Sequence, residues 1–251
     1  MGEGSPPAPA RSASPHGAPS GAEEVGAVLF DAGNTLVYVD PARMAEILGT
    51  EGVEATPEDV VRAERKARRV LHDAIRWGGT GTEPEVWREY FLRLFRGSGV
   101  PDELLEAVGD RMKAAHARRH LWTYVAPGTA DALQALRDAG YPLGVISNAD
   151  GRVETLLEDV GLRGYFDFVV DSEVLGVEKP DRRIFQEGCR RMGLPPGACL
   201  YVGDLYPVDY LGATGAGLQA VLLDSLGLHD GRAPTVASLA ELGPMLRMAG
   251  I

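Results

Sequence analysis

The chain has 251 residues, 45% of them apolar and 24% charged, a composition suited to one large globular domain or to a core with a smaller partner. Its 36 acidic residues outnumber the 25 basic ones for a formal net charge of −11, which argues against nucleic acid as the main partner, since phosphate backbones need clustered cations. No apolar run is long enough to predict a transmembrane helix, and Cys189 and Cys199 show no metal-ligand spacing, so they read as reduced thiols of a cytoplasmic protein.

Residues 1–24, rich in Pro, Ala, Gly and Ser, lack apolar periodicity and the apolar core of a secretory signal, and are expected to be a disordered tail. Ala27-Val-Leu-Phe30 reads as a short buried strand that ends at the Gly33-Asn34 turn signal. From about Pro41 to Trp122 the pattern is helical. Thr56-Pro57 with Asp59 resembles a capping box, and Val60, Ala63, Ala67, Val70, Leu71 and Ala74 follow on one face. The charges Arg62, Glu64, Arg65, Lys66, Arg68 and Arg69 interleave with that face and read as its solvated side. Further helices are expected over Glu85–Arg96 and from Asp102 to about Arg118.

After Val125 the rhythm changes. A helix from Pro127-Gly128 to Ala139-Gly140 precedes the strand Leu143–Ile146. The spacing of Val153, Leu156, Leu157 and Val160 predicts a helix closed by Gly161. There follow strand Phe166–Val170, helix Asp181–Met192, strand Cys199–Val202, a helix after Val208 and strand Ala220–Leu223. Alternation of this kind predicts a doubly wound parallel sheet with helices on both faces. The helical block is then an all-α cap inserted after the first strand. The expected division is a core of residues 25–39 and 125–251 and a cap of 40–124. Gly215-x-Gly217-x-x-Ala220 precedes a strand where a dinucleotide fingerprint would follow one, so it reads as packing.

Polar clusters follow the apolar strands: Asp31-Ala-Gly-Asn-Thr-Leu36, Ser147-Asn148, Glu178-Lys179-Pro180, and Gly203-Asp204 with Asp209. In a doubly wound sheet the carboxyl ends of the strands line one crevice, so these clusters can converge on a ligand. Lys179 is one of only three lysines in an arginine-rich set of cations.

With these motifs the chain resembles the haloacid dehalogenase superfamily, in the subfamily with a Rossmann-like core and a helical cap after the first strand. The resemblance runs from Val25 to about Leu246. It implies a Mg²⁺-dependent phosphatase acting on a small phosphorylated metabolite. Asp31 resembles the nucleophile that forms an aspartyl-phosphate. Ser147, the backbone N–H of Asn148, and Lys179 resemble the phosphoryl-binding groups. Asp31, the Gly33 carbonyl and Asp204 resemble the Mg²⁺ ligands, and Asp209 completes the metal site from behind them or through a water. Each role has a physical basis: a hard dication takes carboxylate oxygens, and a trianionic phosphoryl group needs fixed positive charge.

One position departs from the pattern. Family phosphatases carry a second Asp, the general acid/base, where this chain has Gly33. Such assistance is worth roughly 10²–10⁴-fold, so slowed turnover is expected unless Tyr38, Asp40, His72 or Tyr206 substitutes. The alternatives are a protein that binds phosphorylated ligands without turning them over, or a 2-haloacid dehalogenase. The metal-type Gly203-Asp204 pair favours the phosphatase over the latter. The helical block would set substrate choice.

Overall fold

The computed structural model describes residues 24–76, 84–229 and 231–248; the tail expected over residues 1–24 lies almost wholly outside them, as does the end of the chain. A six-stranded, wholly parallel sheet forms the centre, in the order β3-β2-β1-β4-β5-β6. The strands are β1 (Ala27–Phe30), β2 (Leu143–Ser147), β3 (Phe168–Asp171), β4 (Cys199–Gly203), β5 (Gln219–Leu223) and β6 (Thr235–Val236). Strand order reverses between β1 and β4, which is where an open α/β sheet leaves a crevice at its carboxyl edge. In register, Phe30 pairs with Val145 of β2 and Val202 of β4. The strands end just beyond this row, so Asp31 after β1, Ser147 at the end of β2 and Asp204 after β4 stand at that edge.

Both sheet faces are covered, and the side-chain alternation of a strand divides the core in two. Val28, Phe30, Val145 and Val202 pack on one side with Leu133 and Leu157, from α5 (Thr129–Asp138) and α6 (Val153–Asp159). Ala27, Leu29, Ile146 and Tyr201 pack on the other with Ile184 and Phe185 from α8 (Arg182–Met192). Large side chains such as these contribute about 1.5–3 kcal/mol each on full burial.

Between β1 and α5 come α1 (Pro41–Thr50), α2 (Pro57–Arg76), α3 (Pro84–Gly97) and α4 (Leu105–Arg118). These helices bury a hydrophobic cluster of their own, centred on Met44, Leu48, Leu71, Tyr90, Leu94 and Val108. Asp40 caps α1 by accepting the Arg43 N–H at 3.0 Å. At α2 the capping box is present: Thr56 Oγ1 accepts the Asp59 N–H at 3.1 Å, and Asp59 Oδ2 accepts the Thr56 N–H at 3.0 Å. Val60, Ala63, Ala67, Val70 and Leu71 are buried as the periodicity predicts; the side chain of Ala74 lies outside the described residues.

Several expectations need correction. Glu64 and Arg68 do not lie on a solvated face. They form a bidentate pair at 2.7 and 2.8 Å, with side chains each 11% exposed, and Arg68 sits 5.4 Å over the Tyr38 ring. A charged helix side pressed onto another part of the chain is buried once its charges are paired. The third strand begins at Phe168, because Phe166 ends a short 3₁₀ turn over Arg163–Tyr165. The segment after Val208 begins with a π-turn over Tyr206–Tyr210 before α9 (Leu211–Gly215). The pattern also missed β6, α7 (Ser172–Leu175) and α10 (Leu242–Met248), all too short for periodicity to register.

Candidate active site

Each predicted site residue lies at the carboxyl edge of the sheet. Asp31 follows β1, Ser147 ends β2 with Asn148 after it, Asp204 follows β4, and Asp209 stands in the π-turn. Lys179 comes from the segment between α7 and α8. Together with Gly33 they all line one cavity of about 1310 Å³. One carboxylate oxygen from each of Asp31, Asp204 and Asp209 falls within 4.8 Å of the others.

Lys179 is the hub of this cluster. Its buried ammonium donates to Asp31 Oδ1 at 2.6 Å, to Asp209 Oδ1 at 2.7 Å and to the Tyr201 hydroxyl at 3.0 Å. All three donors of the ammonium are thereby used. Burial by itself would lower the Lys179 pKa, but the Asp209 and Asp31 carboxylates outweigh it and hold the lysine well above its ordinary value. Asp31 is raised to about 6, chiefly by burial, with Lys179 opposing the rise and Asp209 adding to it. Asp204, half-buried, is pushed well above the usual carboxylate range by burial and then by Asp209 and Asp31. Three carboxylates against one ammonium leave excess negative charge, and the Asp204 carboxylate accepts no hydrogen bond among the described residues, although the His229 ring bonds the Asp204 carbonyl at 3.1 Å.

Asp209 differs from its neighbours. Its Oδ2 accepts the backbone N–H groups of Asp204 and Leu205 at 3.1 and 2.9 Å, while Oδ1 takes Lys179. With both oxygens engaged, it shapes the loop that presents Asp204. Asn148 is similarly occupied. Its amide nitrogen donates to the Lys179 carbonyl at 2.9 Å and its Oδ1 accepts the Lys179 N–H at 2.7 Å, which fixes the backbone of the lysine. Gly33 has no positive φ, and a Cβ built there meets nothing within 4 Å. Its carbonyl accepts none of the hydrogen bonds that close the 32–37 turn.

The residues considered as substitutes for the missing acid/base lie elsewhere. Asp40 caps α1 and accepts the Thr123 hydroxyl at 3.1 Å. The His72 ring packs edge-on to His229 with centroids 4.8 Å apart, and Tyr206 stacks on Tyr210. Burial pushes Tyr38 up to about 12, which removes it from acid/base work near neutrality. None of the four lines the cavity that holds Asp31.

Sequence reasoning missed three features. Tyr201 looked like one more apolar strand residue, yet its hydroxyl also donates to the Ile146 carbonyl at 3.0 Å and anchors Lys179. Asp171 accepts the N–H groups of Gly151, Val153 and Glu173, and Ser172 Oγ accepts that of Ala149, so together they set the loop after Ser147. A polar pair at the end of a third strand was the available signal. The third feature is the group of His116, His120 and Trp122, which line the same cavity and which no spacing in the sequence links to Asp31.

The sequence model of the family described as haloacid dehalogenase-like hydrolase matches residues 25–217. A mouse relative, haloacid dehalogenase-like hydrolase domain-containing protein 3, is 37% identical over 143 residues, which is 57% of this chain and 57% of that protein. The glyceraldehyde 3-phosphate phosphatase of Methanothermobacter thermautotrophicus is 45% identical over 207 residues, covering 79% of this chain and 85% of that one. Among solved structures, the magnesium-bound HAD-hydrolase YfnB of Bacillus subtilis superposes with a TM-score of 0.65 at 20% identity, covering 89% of this chain and 99% of the other; that likeness shows the fold.

Proposed function

The chain belongs to the haloacid dehalogenase-like hydrolases, and from that premise we propose that it is a Mg²⁺-dependent phosphatase of a small phosphorylated metabolite with Asp31 as nucleophile. The observation that carries this reading is the Asp31–Lys179–Asp209 bond network beside the Asp204 carboxylate, which accepts no hydrogen bond among the described residues. The name of the archaeal relative, which is 45% identical over most of both chains, supports a phosphate ester as substrate.

The donor set suits a hard dication: oxygen ligands only, excess negative charge, and one carboxylate without a hydrogen-bond partner among the described residues. Asp31, Asp204 and the Gly33 carbonyl would hold it, with Asp209 orienting Asp204 from behind. When bound, Mg²⁺ supplies positive charge that favours the ionised carboxylates and screens the phosphoryl oxygens.

The remaining steps belong to the chain itself. Lys179 takes Oδ1 of Asp31, which leaves Oδ2 to attack phosphorus: the Oδ2–P bond of the aspartyl-phosphate forms as the ester P–O bond breaks, and the alcohol oxygen departs and takes its proton from solvent. The ammonium stays in place to neutralise charge as the phosphoryl group transfers. Ser147, buried at the end of β2, and the Asn148 N–H hold phosphoryl oxygens. No side chain at Gly33 protonates the leaving oxygen or activates the water that opens the intermediate, so turnover is slow on poor leaving groups. We further propose that residues 40–124 cap a core of residues 25–39 and 125–251, in keeping with the separate helical cluster.

The test is turnover of p-nitrophenyl phosphate with and without Mg²⁺, run beside halide release from 2-haloacids and repeated with Asp31→Asn. Mg²⁺-dependent release of phosphate that Asp31→Asn abolishes is expected. Halide release without phosphate release would replace the reading with the dehalogenase, and binding without either would make the chain a receptor.

A further inference from the structure

The cavity that holds Asp31 is lined in part by aromatic rings from the helical block and the segment after it. Trp87 and Phe91 of α3 and Trp122 beyond α4 form a three-ring group with centroids 6.0 to 6.4 Å apart. All three line the cavity and all are only partly buried. His120 joins the edge of this group, its ring 5.7 Å from that of Trp122.

The proton on His120 is placed by the backbone. Its Nδ1 accepts the Trp122 N–H at 3.2 Å, so the neutral ring carries its hydrogen on Nε2. That Nε2–H has no hydrogen-bond partner among the described residues. His116 is set the same way: Nδ1 accepts the Leu121 N–H at 3.2 Å, and Nε2 donates to Asp150 Oδ2 at 3.3 Å. Burial, then Arg152, lowers His116, and burial with the adjacent His116 pushes His120 down to about 4, so both rings are neutral at neutral pH. The same proton placement argues against a cation among His116, His120 and Asp150, although one ligand atom from each lies within 4.8 Å of the others. With hydrogen on both Nε2 atoms and N–H donors on both Nδ1 atoms, neither ring offers a lone pair.

We propose that this wall is the leaving-group subsite and takes a flat, uncharged heterocycle, stacked among Trp87, Phe91 and Trp122, with a neutral ring acceptor on the His120 Nε2–H. The substrate class is a phosphate monoester of a primary alcohol carrying such a ring, of which a nucleoside 5′-monophosphate is the type. This deepens the phosphatase reading and rests on it. An aliphatic group would leave a half-buried N–H unpaired, which the site disfavours. A triose phosphate would fill little of about 1310 Å³, a volume above the roughly 300–1,000 Å³ of a drug-sized site.

The test compares inosine 5′-monophosphate with ribose 5-phosphate and glyceraldehyde 3-phosphate, all primary alkyl phosphates with similar leaving oxygens. The wild type is expected to show kcat/KM for inosine 5′-monophosphate about tenfold or more above ribose 5-phosphate, the scale of one stacked ring. Two variants should shrink that ratio toward one. Phe91→Leu keeps bulk without a ring, and His120→Asn keeps an acceptor for the Trp122 N–H without the Nε2 donor. Equal kcat/KM for the two substrates in the wild type would overturn the subsite. A binding arm uses the tryptophan fluorescence of Asp31→Asn, titrated with the same compounds. Tighter binding of inosine 5′-monophosphate with no turnover of any ester would retain the subsite and overturn the hydrolytic reading instead.

Discussion

Restoring a carboxylate at Gly33 tests the chemistry at the one position where the site departs from its family. The backbone there is not left-handed, and a Cβ meets nothing within 4 Å, so Gly33→Asp introduces neither strain nor a clash. Loss of glycine's freedom in the unfolded chain stabilises by about 0.4–1 kcal/mol. Against this stands the repulsion of one more carboxylate near a cluster that already holds Asp31 up to about 6. The folded variant is expected within about 1 kcal/mol of the wild type. General acid–base assistance of roughly 10²–10⁴-fold corresponds to about 2.7–5.4 kcal/mol at ~1.36 kcal/mol per tenfold. The assay is kcat on an alkyl phosphate beside p-nitrophenyl phosphate, at saturating Mg²⁺. The gain should be larger for the alkyl ester, whose leaving oxygen needs the proton, and smaller for the aryl ester, where only opening of the aspartyl-phosphate benefits. A folded variant that binds Mg²⁺ and gains on neither ester would refute the reasoning.

Lys179→Met leaves Asp31 and Asp209 buried without their cation; thermal melts in a chelator should show a loss of about 3–5 kcal/mol, and an unchanged melt would remove the lysine from its role. Gly203→Ala places a Cβ 2.4 Å from Asp209 Cγ, and Asp209 is only 1% exposed. Overpacking of about 1–3 kcal/mol and loss of Mg²⁺-dependent activity are expected, and a fully active variant would show that Asp209 is free to move. Mg²⁺ should raise the wild-type Tm, since a ligand at 100 times its Kd adds about 2.7 kcal/mol. In Asp204→Asn most of that shift should vanish, and an equal shift would take Asp204 out of the metal shell. For pH, the folded His120 value of about 4 lies below the ordinary 6.5. The folded state then binds fewer protons in that window, and stability falls as pH drops through it. Melts of His120→Asn should lose less on acidification from pH 6.5 to 4 than the wild type, and parallel curves would contradict the neutral ring.

Much of the fold was legible because it is written in local pattern. Buried strands such as Ala27–Phe30 and Leu143–Ser147 are apolar runs on both faces, and the polar residue after each run marks the carboxyl edge of the sheet. Asp31, Ser147, Lys179 and Asp204 could therefore be named from one dimension, and the structure brings them to one cavity. What the sequence left open is decided by contacts between residues far apart in the chain. The sequence places Asp209 and Asn148 beside the site, but only the tertiary structure shows what their side chains touch: Asp209 engages Lys179 and backbone N–H groups, and the Asn148 side chain engages the lysine's backbone. Glu64 and Arg68 read as solvated until Tyr38 and Tyr90 covered them. Tyr201 and His120 became polar actors only when folding set a lysine beside one and a cavity beside the other. Periodicity reports which side of an element is apolar; the partner that a polar group meets depends on chain crossings that no local window contains.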